Sequence, residues 1–226
     1  KNILEIGPGM GILTQHLINN KTETFFVEID KDSIVYLNKV YPKIQNSIIN
    51  EDFLKLKLNK FKTPIGLIGN FPYNISSQIL FKLIENRDKV EELVGMFQLE
   101  VAQRVCAPPG SKTYGILSVL IQAFYSAEFL FSLSPNHFNP PPKVNSGVIR
   151  LTKKSNINIG CDEELFFKIV KTSFQQRRKT LRNSLKSFNL PNNIKEGAIF
   201  EKRPEALSVD DFILLTNIIA DGTIPA

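Results

Sequence analysis

At 226 residues and 42% hydrophobic, the chain can bury a sizeable core, as one large domain or one domain with a small appendage. Its two cysteines, Cys106 and Cys161, are far apart and lack CxxC or Cys/His spacing, which argues against a disulfide framework or a structural metal, and no apolar run reaches the roughly 18 residues of a membrane span. A net charge of +6 and a pI near 9.2 suit a polyanionic partner without requiring one.

Lys1 stands directly before a strand-like run with no Met and no lead-in, so the chain is expected to lack its natural N-terminus, and an address carried upstream stays open. Strands are predicted over Ile3–Ile6, Thr24–Ile29, Ser47–Asn50, Ile65–Asn70 and Leu93–Gln98, with helices between and after them over Ile12–Asn19, Asp32–Tyr41, Ser76–Glu85 and Glu100–Cys106. Such alternation, with connections too long for hairpins, predicts βαβ units and a parallel sheet. A helix over Gly115–Ala123 follows, and then two late strands, Phe124–Leu133 and Ser146–Thr152, that can pair antiparallel across the loop holding Pro140, Pro141 and Pro142.

Beyond Lys153 the pattern changes. Ser155–Gly160 is polar and aperiodic and reads as a linker, giving an α/β domain over 1–154 and a helical domain over 155–226. From Asp162 onward the period is helical throughout: Phe174, Leu181, Leu185 and Phe188 recur at helical spacing, while Arg178, Arg182 and Lys186 step by four along another stripe. Pro191 and Pro204 divide the run, and Ser208 can cap the last helix. Between Lys168 and Lys186 there are seven basic residues and no acidic one. Most charge runs are solvated helix faces, but one so one-sided in a basic protein favours phosphate contact.

Two motifs carry chemistry. Glu5-x-Gly7-x-Gly9-x-Gly11 lies between a strand and a helix, a turn whose glycines permit positive φ and clear side chains from a ligand's path. The next strand ends in Val27-Glu28-Ile29-Asp30. A carboxylate there can accept ribose hydroxyls, and either Glu28 or Asp30 can face the site. After the third strand, Asp52 can accept from an adenine amine while Phe53 covers the ring; taken without the other motifs, Asp52 reads better as an N-cap or turn residue.

The second motif is Asn70-Phe71-Pro72-Tyr73. Proline fixes one φ and removes an N–H. The Asn70 side-chain oxygen and the Pro72 carbonyl can each accept a hydrogen from an exocyclic NH₂, localising the nitrogen lone pair for attack on a sulfonium methyl, and Tyr73 can stack on the base. Phe138, in the proline-stiffened loop, can close the other face, or can simply pack beneath a rigid loop. His16 and His137 have no metal-ligand neighbours, so no metal is expected.

At this point the chain resembles the ribosomal RNA adenine N6,N6-dimethyltransferases of the KsgA type. The resemblance runs in order through 3–14 (ILEIGPGMGILT), 27–30, 51–53, 69–78 (GNFPYNISSQ), 96–105 (MFQLEVAQRV), 114–119 (YGILSV), 138–146 (FNPPPKVNS) and 174–185 (FQQRRKTLRNSL). It implies an α/β fold: a Rossmann-like seven-stranded S-adenosylmethionine-dependent methyltransferase sheet, its last strand reversed, with a small C-terminal α-helical domain. It further implies dimethylation of two adjacent adenosines in the 3′-terminal hairpin of small-subunit rRNA, either as naked RNA or in an assembling subunit; a cytoplasmic location is expected, and a monomer is the default for two domains that need few contacts to remain soluble. Carried over by position, Glu5, Gly7, Gly9, Glu28, Asp52, Phe53 and Asn70 would line the S-adenosylmethionine site. Asn70, Pro72, Tyr73 and Phe138 would hold the adenine, and Arg177, Arg178, Lys179 and Arg182 would meet RNA. The family's upstream segment, which helps cover the cofactor, is missing here, and Phe71 replaces the usual Leu of Asn-Leu-Pro-Tyr. The nearest rival is an erythromycin-resistance methyltransferase acting on large-subunit rRNA; an RNA-binding assembly factor is the rival of another class.

Overall fold

The computed structural model describes residues 1–19 and 21–222. The last four residues of the expected helical domain lie outside the described residues. The chain alternates β1 (Asn2–Ile6), α1 (Thr14–Leu17), β2 (Glu23–Glu28), α2 (Lys31–Val40), β3 (Ile48–Asn50), β4 (Ile65–Asn70), α3 (Ser76–Glu85), β5 (Val90–Gln98), α4 (Leu99–Val105), α5 (Ile116–Phe124), β6 (Tyr125–Leu133) and β7 (Ser146–Lys153). These form a seven-stranded sheet in the order β3-β2-β1-β4-β5-β7-β6. The four pairings among β1 to β5 are parallel, and β7 runs antiparallel to β5. This is the Rossmann-like methyltransferase sheet with its reversed strand.

Local chemistry sets these elements. Leu4, Leu67, Leu93 and Ile149, each wholly or nearly buried, lie on four strands of the sheet, as expected where both faces of a sheet are covered. The Asp30 carboxylate accepts the Ser33 N–H at 2.8 Å and caps α2. In β6 most residues are exposed, which suits its place at the sheet edge. Strand order reverses between β1 and β4, because the chain fills the β2-β3 side before returning to β4. Ligands in open α/β sheets bind beyond the strand C-termini at such a point.

The chain divides into two compact units, 1–102 with 126–153, and 103–125 with 154–226. The boundary expected from sequence, at 154/155, keeps 103–125 with the sheet; packing groups it with the C-terminal helices. The reason lies in α5, where Leu117, Val119, Leu120, Ile121 and Phe124 are all buried. A helix apolar on every side needs cover on every side, and α6 (Glu163–Gln175) and α9 (Val209–Asp221) supply part of it. Within this unit Phe174 packs between Tyr114 and Phe212, with ring centroids at 6.2 and 5.9 Å. The α9 N-terminus is closed by a reciprocal Ser208–Asp211 capping box.

The expectation of a helical pattern from Asp162 to the break at Pro191 is corrected in one place. Helix α6 stops at Gln175, residues 176–179 form a turn, and α7 covers only Leu181–Ser184. Thr180 is extended (φ −65°, ψ 158°), and the Leu181 N–H leaves the helical ladder to donate to the Lys202 carbonyl at 2.9 Å. Arg178, Arg182 and Lys186 therefore do not share one continuous helix face. Short α8 (Asn192–Lys195) and the turns around Pro204 complete the unit. No helix among the described residues is long and apolar enough to cross a membrane.

Candidate active site

Strand register gathers the motif residues of the first unit on one edge of the sheet. Glu5 pairs with Phe26 and Ile68, so Gly7 of the turn, Glu28 of β2 and Asn70 of β4 all lie at or beyond the same level. Glu28 in turn pairs with Asn50, just before Asp52, and Asn70 with Met96. Gln98, at the end of β5, pairs with Ser146, the first residue of antiparallel β7. Every one of these is at the C-terminal edge of the parallel strands.

The glycine turn is held by carboxylates from below. Glu28 is 6% exposed. Its Oε1 accepts the N–H groups of Ile29 and Asp30 at 2.8 and 2.9 Å, and its Oε2 accepts the Gly9 N–H at 3.0 Å. Asp30 is spent on capping α2, and hydrogen bonds from Ser33 hold its carboxyl below the usual range. Of the two candidates on this strand, Glu28 is the one joined to the turn. Glu5 is 1% exposed and accepts the Thr14 hydroxyl at 2.8 Å. Burial pushes its carboxyl up to about 7, against the opposing pull of that hydrogen bond and with a smaller upward push from the Glu28 charge.

Gly7 and Gly9 have φ of +66° and +54°, and a Cβ built on either would meet nothing within 4 Å. The backbone is open there, the cradle a ligand needs. Gly11 differs: a Cβ there would press on Leu37 at 3.1 Å and on the Tyr41 ring, so its role is close packing against α2.

Asp52 makes an Asx turn, its Oδ1 accepting the Leu54 N–H at 2.9 Å. Phe53, expected as a cover for a bound ring, is 4% exposed, with the Lys82 ammonium 5.4 Å from its ring centroid. Lys82 is itself tied to the carbonyls of Leu54 and Leu56 at 2.9 and 2.8 Å, and burial lowers its pKa. Phe53 thus anchors the loop after β3 and offers little surface to a ligand.

On the other side of the switch point, Asn70 is exposed at the tip of β4, and its amide makes no hydrogen bond to another described residue. Phe71, by contrast, is 1% exposed, with its N–H on the Met96 carbonyl at 3.1 Å and its ring 4.9 Å from Phe97. The ring fills a slot floored by glycine. A Cβ at Gly69 would lie 2.6 Å from the Ile6 carbonyl and 3.1 Å from the Phe71 ring, and one at Gly95 would collide with the ring outright. With Phe71 plugged into the sheet, Asn70 and Pro72 are displayed on either side of a fixed point. The Pro72 carbonyl accepts the Ile75 N–H at 3.2 Å, leaving one lone pair. The Ser76 hydroxyl favours the Tyr73 carbonyl, 3.0 Å against 3.4 Å to Pro72. The Tyr73 hydroxyl lies 2.6 Å from that of Ser146.

Phe138 is half-buried directly after a 3-10 turn, Pro135–His137, and its N–H donates to the Pro135 carbonyl at 3.0 Å. No group of metal-ligating side chains occurs among the described residues. Sequence reasoning passed over Thr14, Gly69, Gly95 and Ser146 as site residues. Of these, Gly69 and Gly95 carry a sequence signal, a glycine inside a strand, which marks a close approach.

In the second unit the expected RNA contacts divide. Arg177 donates to the Ser111 carbonyl at 3.2 Å and faces Glu205 at 3.8 Å, while Arg182 donates to the Lys195 carbonyl at 3.2 Å and pairs with Glu201. Arg178 and Lys179 are exposed in the turn and make no such contacts among the described residues.

Relatives agree with this architecture. A Flavobacterium johnsoniae protein named ribosomal RNA small subunit methyltransferase A is 57% identical over 223 residues, covering 97% of this chain and 85% of that one. Its Bacteroides thetaiotaomicron namesake is 53% identical, covering 97% and 84%. A crystal structure of a dimethyladenosine transferase from Plasmodium falciparum superposes with a TM-score of 0.82 at 27% identity, covering 98% of this chain and 91% of that one. The 23S rRNA methyltransferase ErmE shares the fold, with a TM-score of 0.69 at 23% identity over 94% and 90% of the two chains. The family model for ribosomal RNA adenine dimethylase matches residues 1–221, and with relatives of this identity along nearly the whole length, the chain belongs to that family.

Proposed function

We propose that this protein transfers methyl groups from S-adenosylmethionine to N6 of two adjacent adenosines in the 3′-terminal hairpin of small-subunit rRNA. Each base is left dimethylated, and the enzyme acts as a cytoplasmic monomer on the assembling subunit. The observation that carries the reading is the meeting, at one switch point, of an open glycine turn with an Asn70 amide that has no hydrogen-bond partner among the described residues.

The residues present fit the cofactor. The open backbone at Gly7 and Gly9 would admit its nucleoside and methionine portions, and S-adenosylmethionine, when bound, supplies an electrophilic methyl on sulfur. Glu28 uses three of roughly four lone-pair sites on backbone N–H groups, which leaves Oε2 able to take one ribose hydroxyl. The second oxygen of Asp52 would accept from the adenine amine, and Glu5 beneath the turn, its pKa pushed up to about 7 by burial, shapes it through the Thr14 hydroxyl.

On the base side, the Asn70 oxygen and the remaining lone pair of Pro72 accept the hydrogens of the target amine, two before the first transfer and one before the second, so its lone pair is drawn out of conjugation with the ring. Tyr73 and Phe138 bound the base by their faces. The methylated nitrogen is cationic and loses its proton readily, so no strong general base is needed. Arg178 and Lys179 hold phosphates.

The test is methyl transfer from labelled S-adenosylmethionine to undermethylated small and large ribosomal subunits. Label as dimethyladenosine at two adjacent small-subunit positions is the expected result. Label on the large subunit would overturn the substrate assignment. Tight small-subunit binding without transfer would make the protein an assembly factor.

A further inference from the structure

The two loops that flank the target base are joined by a hydrogen bond that no motif announces. Tyr73 follows β4 and Ser146 begins β7, 73 residues later, and their hydroxyl oxygens are 2.6 Å apart. The two partners differ in rigidity. Ser146 is fully buried and fixed by its pairing with Gln98, and the residue before it accepts the Leu99 N–H at 2.9 Å. Tyr73 is half-buried in a single 3-10 turn. The plug formed by Phe71 fixes the neighbouring backbone, but it leaves the Tyr73 side-chain torsions undetermined.

A phenol held at its tip by a strand-mounted hydroxyl has the direction of its ring axis fixed. Either hydroxyl can donate. In both cases the bond holds the tip of the side chain against the strand. Ser146 also closes the loop that carries Phe138. One short bond therefore ties the foot of one aromatic wall to the tip of the other.

We propose that Ser146 is a positioning residue for methyl transfer: its hydroxyl fixes the direction of the Tyr73 side chain and so where the ring meets the target base. This rests on the proposed function. It assigns Ser146 no contact with substrate. The bond acts on orientation, where small misplacements lower the rate of a positioned reaction, and leaves RNA capture to other surfaces.

The test is a double-mutant cycle with Ser146→Ala and Tyr73→Phe, each of which deletes the bond while Tyr73→Phe keeps the ring. Steady-state transfer is measured on undermethylated small subunits, with thermal melting of each variant alongside. A net hydrogen bond is worth a factor of about 3 to 10. Each single variant is expected to lower kcat by about that factor, with KM for the subunit within about twofold and cofactor affinity unchanged. The double variant should lose no more than either single one. Additive losses, a Ser146→Ala enzyme with wild-type kcat, or a loss confined to KM would each overturn the assignment while leaving the wild-type reaction in place. Absence of transfer by the wild type would overturn the proposed function and this inference with it.

Discussion

The two sides of the switch point are built on different principles. Beneath the glycine turn the organising forces are polar: Glu28 collects three backbone N–H groups and Glu5 takes the Thr14 hydroxyl. Beneath Asn70-Phe71-Pro72-Tyr73 they are apolar, with Phe71 seated against Phe97 over Gly69 and Gly95. A turn that receives a polar, charged cofactor is held by hydrogen bonds whose geometry fixes N–H directions. A segment that must present an amide at a fixed point in space is held by a plug, because close packing resists displacement in every direction. The difference predicts distinct failures: loss of the polar side should register in pH dependence and cofactor affinity, loss of the apolar side in stability and kcat.

The largest effect is expected where the apolar side displays its polar product. Asn70→Ala should lower methyl transfer by about 10³-fold, on the scale of removing one preorganised dipole, while RNA affinity measured by filter binding stays within about twofold. Equal loss of both would mean Asn70 holds RNA and does not direct the amine.

On the polar side, Glu5 has a folded-state pKa of about 7 against 4.5 for the free group. The native state binds its proton more tightly than the unfolded state, so this residue's contribution to stability falls as pH rises from about 4.5 through about 7 and is constant above. The size is on the order of 3 kcal/mol. Unfolding curves between pH 4.5 and 8 should show this fall in the wild type relative to Glu5→Gln. Parallel pH profiles would place the proton elsewhere.

Gly95→Ala sharpens the comparison from the apolar side. The added methyl meets the Phe71 ring, and overpacking of this kind costs about 1–3 kcal/mol. Denaturant midpoints should fall accordingly and kcat with them. Adding Phe71→Leu, a smaller plug, should recover part of both; a double variant no better than Gly95→Ala would show that the ring is not what the methyl meets.

The smallest expected change lies in the helical unit. Arg178→Ala with Lys179→Ala should reduce the slope of log affinity against log salt by up to about two units, about one for each phosphate that is no longer neutralised. Arg177→Ala, whose guanidinium is bonded to Ser111 and faces Glu205, should instead lower the melting temperature with little change of slope. An unchanged slope in the first variant would move the RNA surface elsewhere.

Much of this was legible in the chain. β4 and α3 have the bounds their patterns predict, and the other strands of the sheet agree to within a few residues, because period-2 and period-3.6 burial are written residue by residue. The break after Gln175 was not legible: no Pro or Gly marks it, and the Leu181 N–H that follows it is taken by the distant Lys202 carbonyl. Phe53 read as a ligand cover because an aromatic beside a candidate acid looks like one. In the fold it is buried, with the Lys82 ammonium, from a different element, 5.4 Å from its ring centroid.

By itself the sequence determined the order of strands and helices, the glycine turn, the Asn70–Tyr73 segment and the basic run, all of which are local patterns of residue type. Only the tertiary structure decided that Glu28 and not Asp30 serves the turn, that Gly95 floors the Phe71 slot, that α5 packs with α6 and α9, and that Tyr73 meets Ser146. Each of those joins segments distant in sequence. Which partners meet is set by sheet order and register, quantities that no single stretch of chain contains.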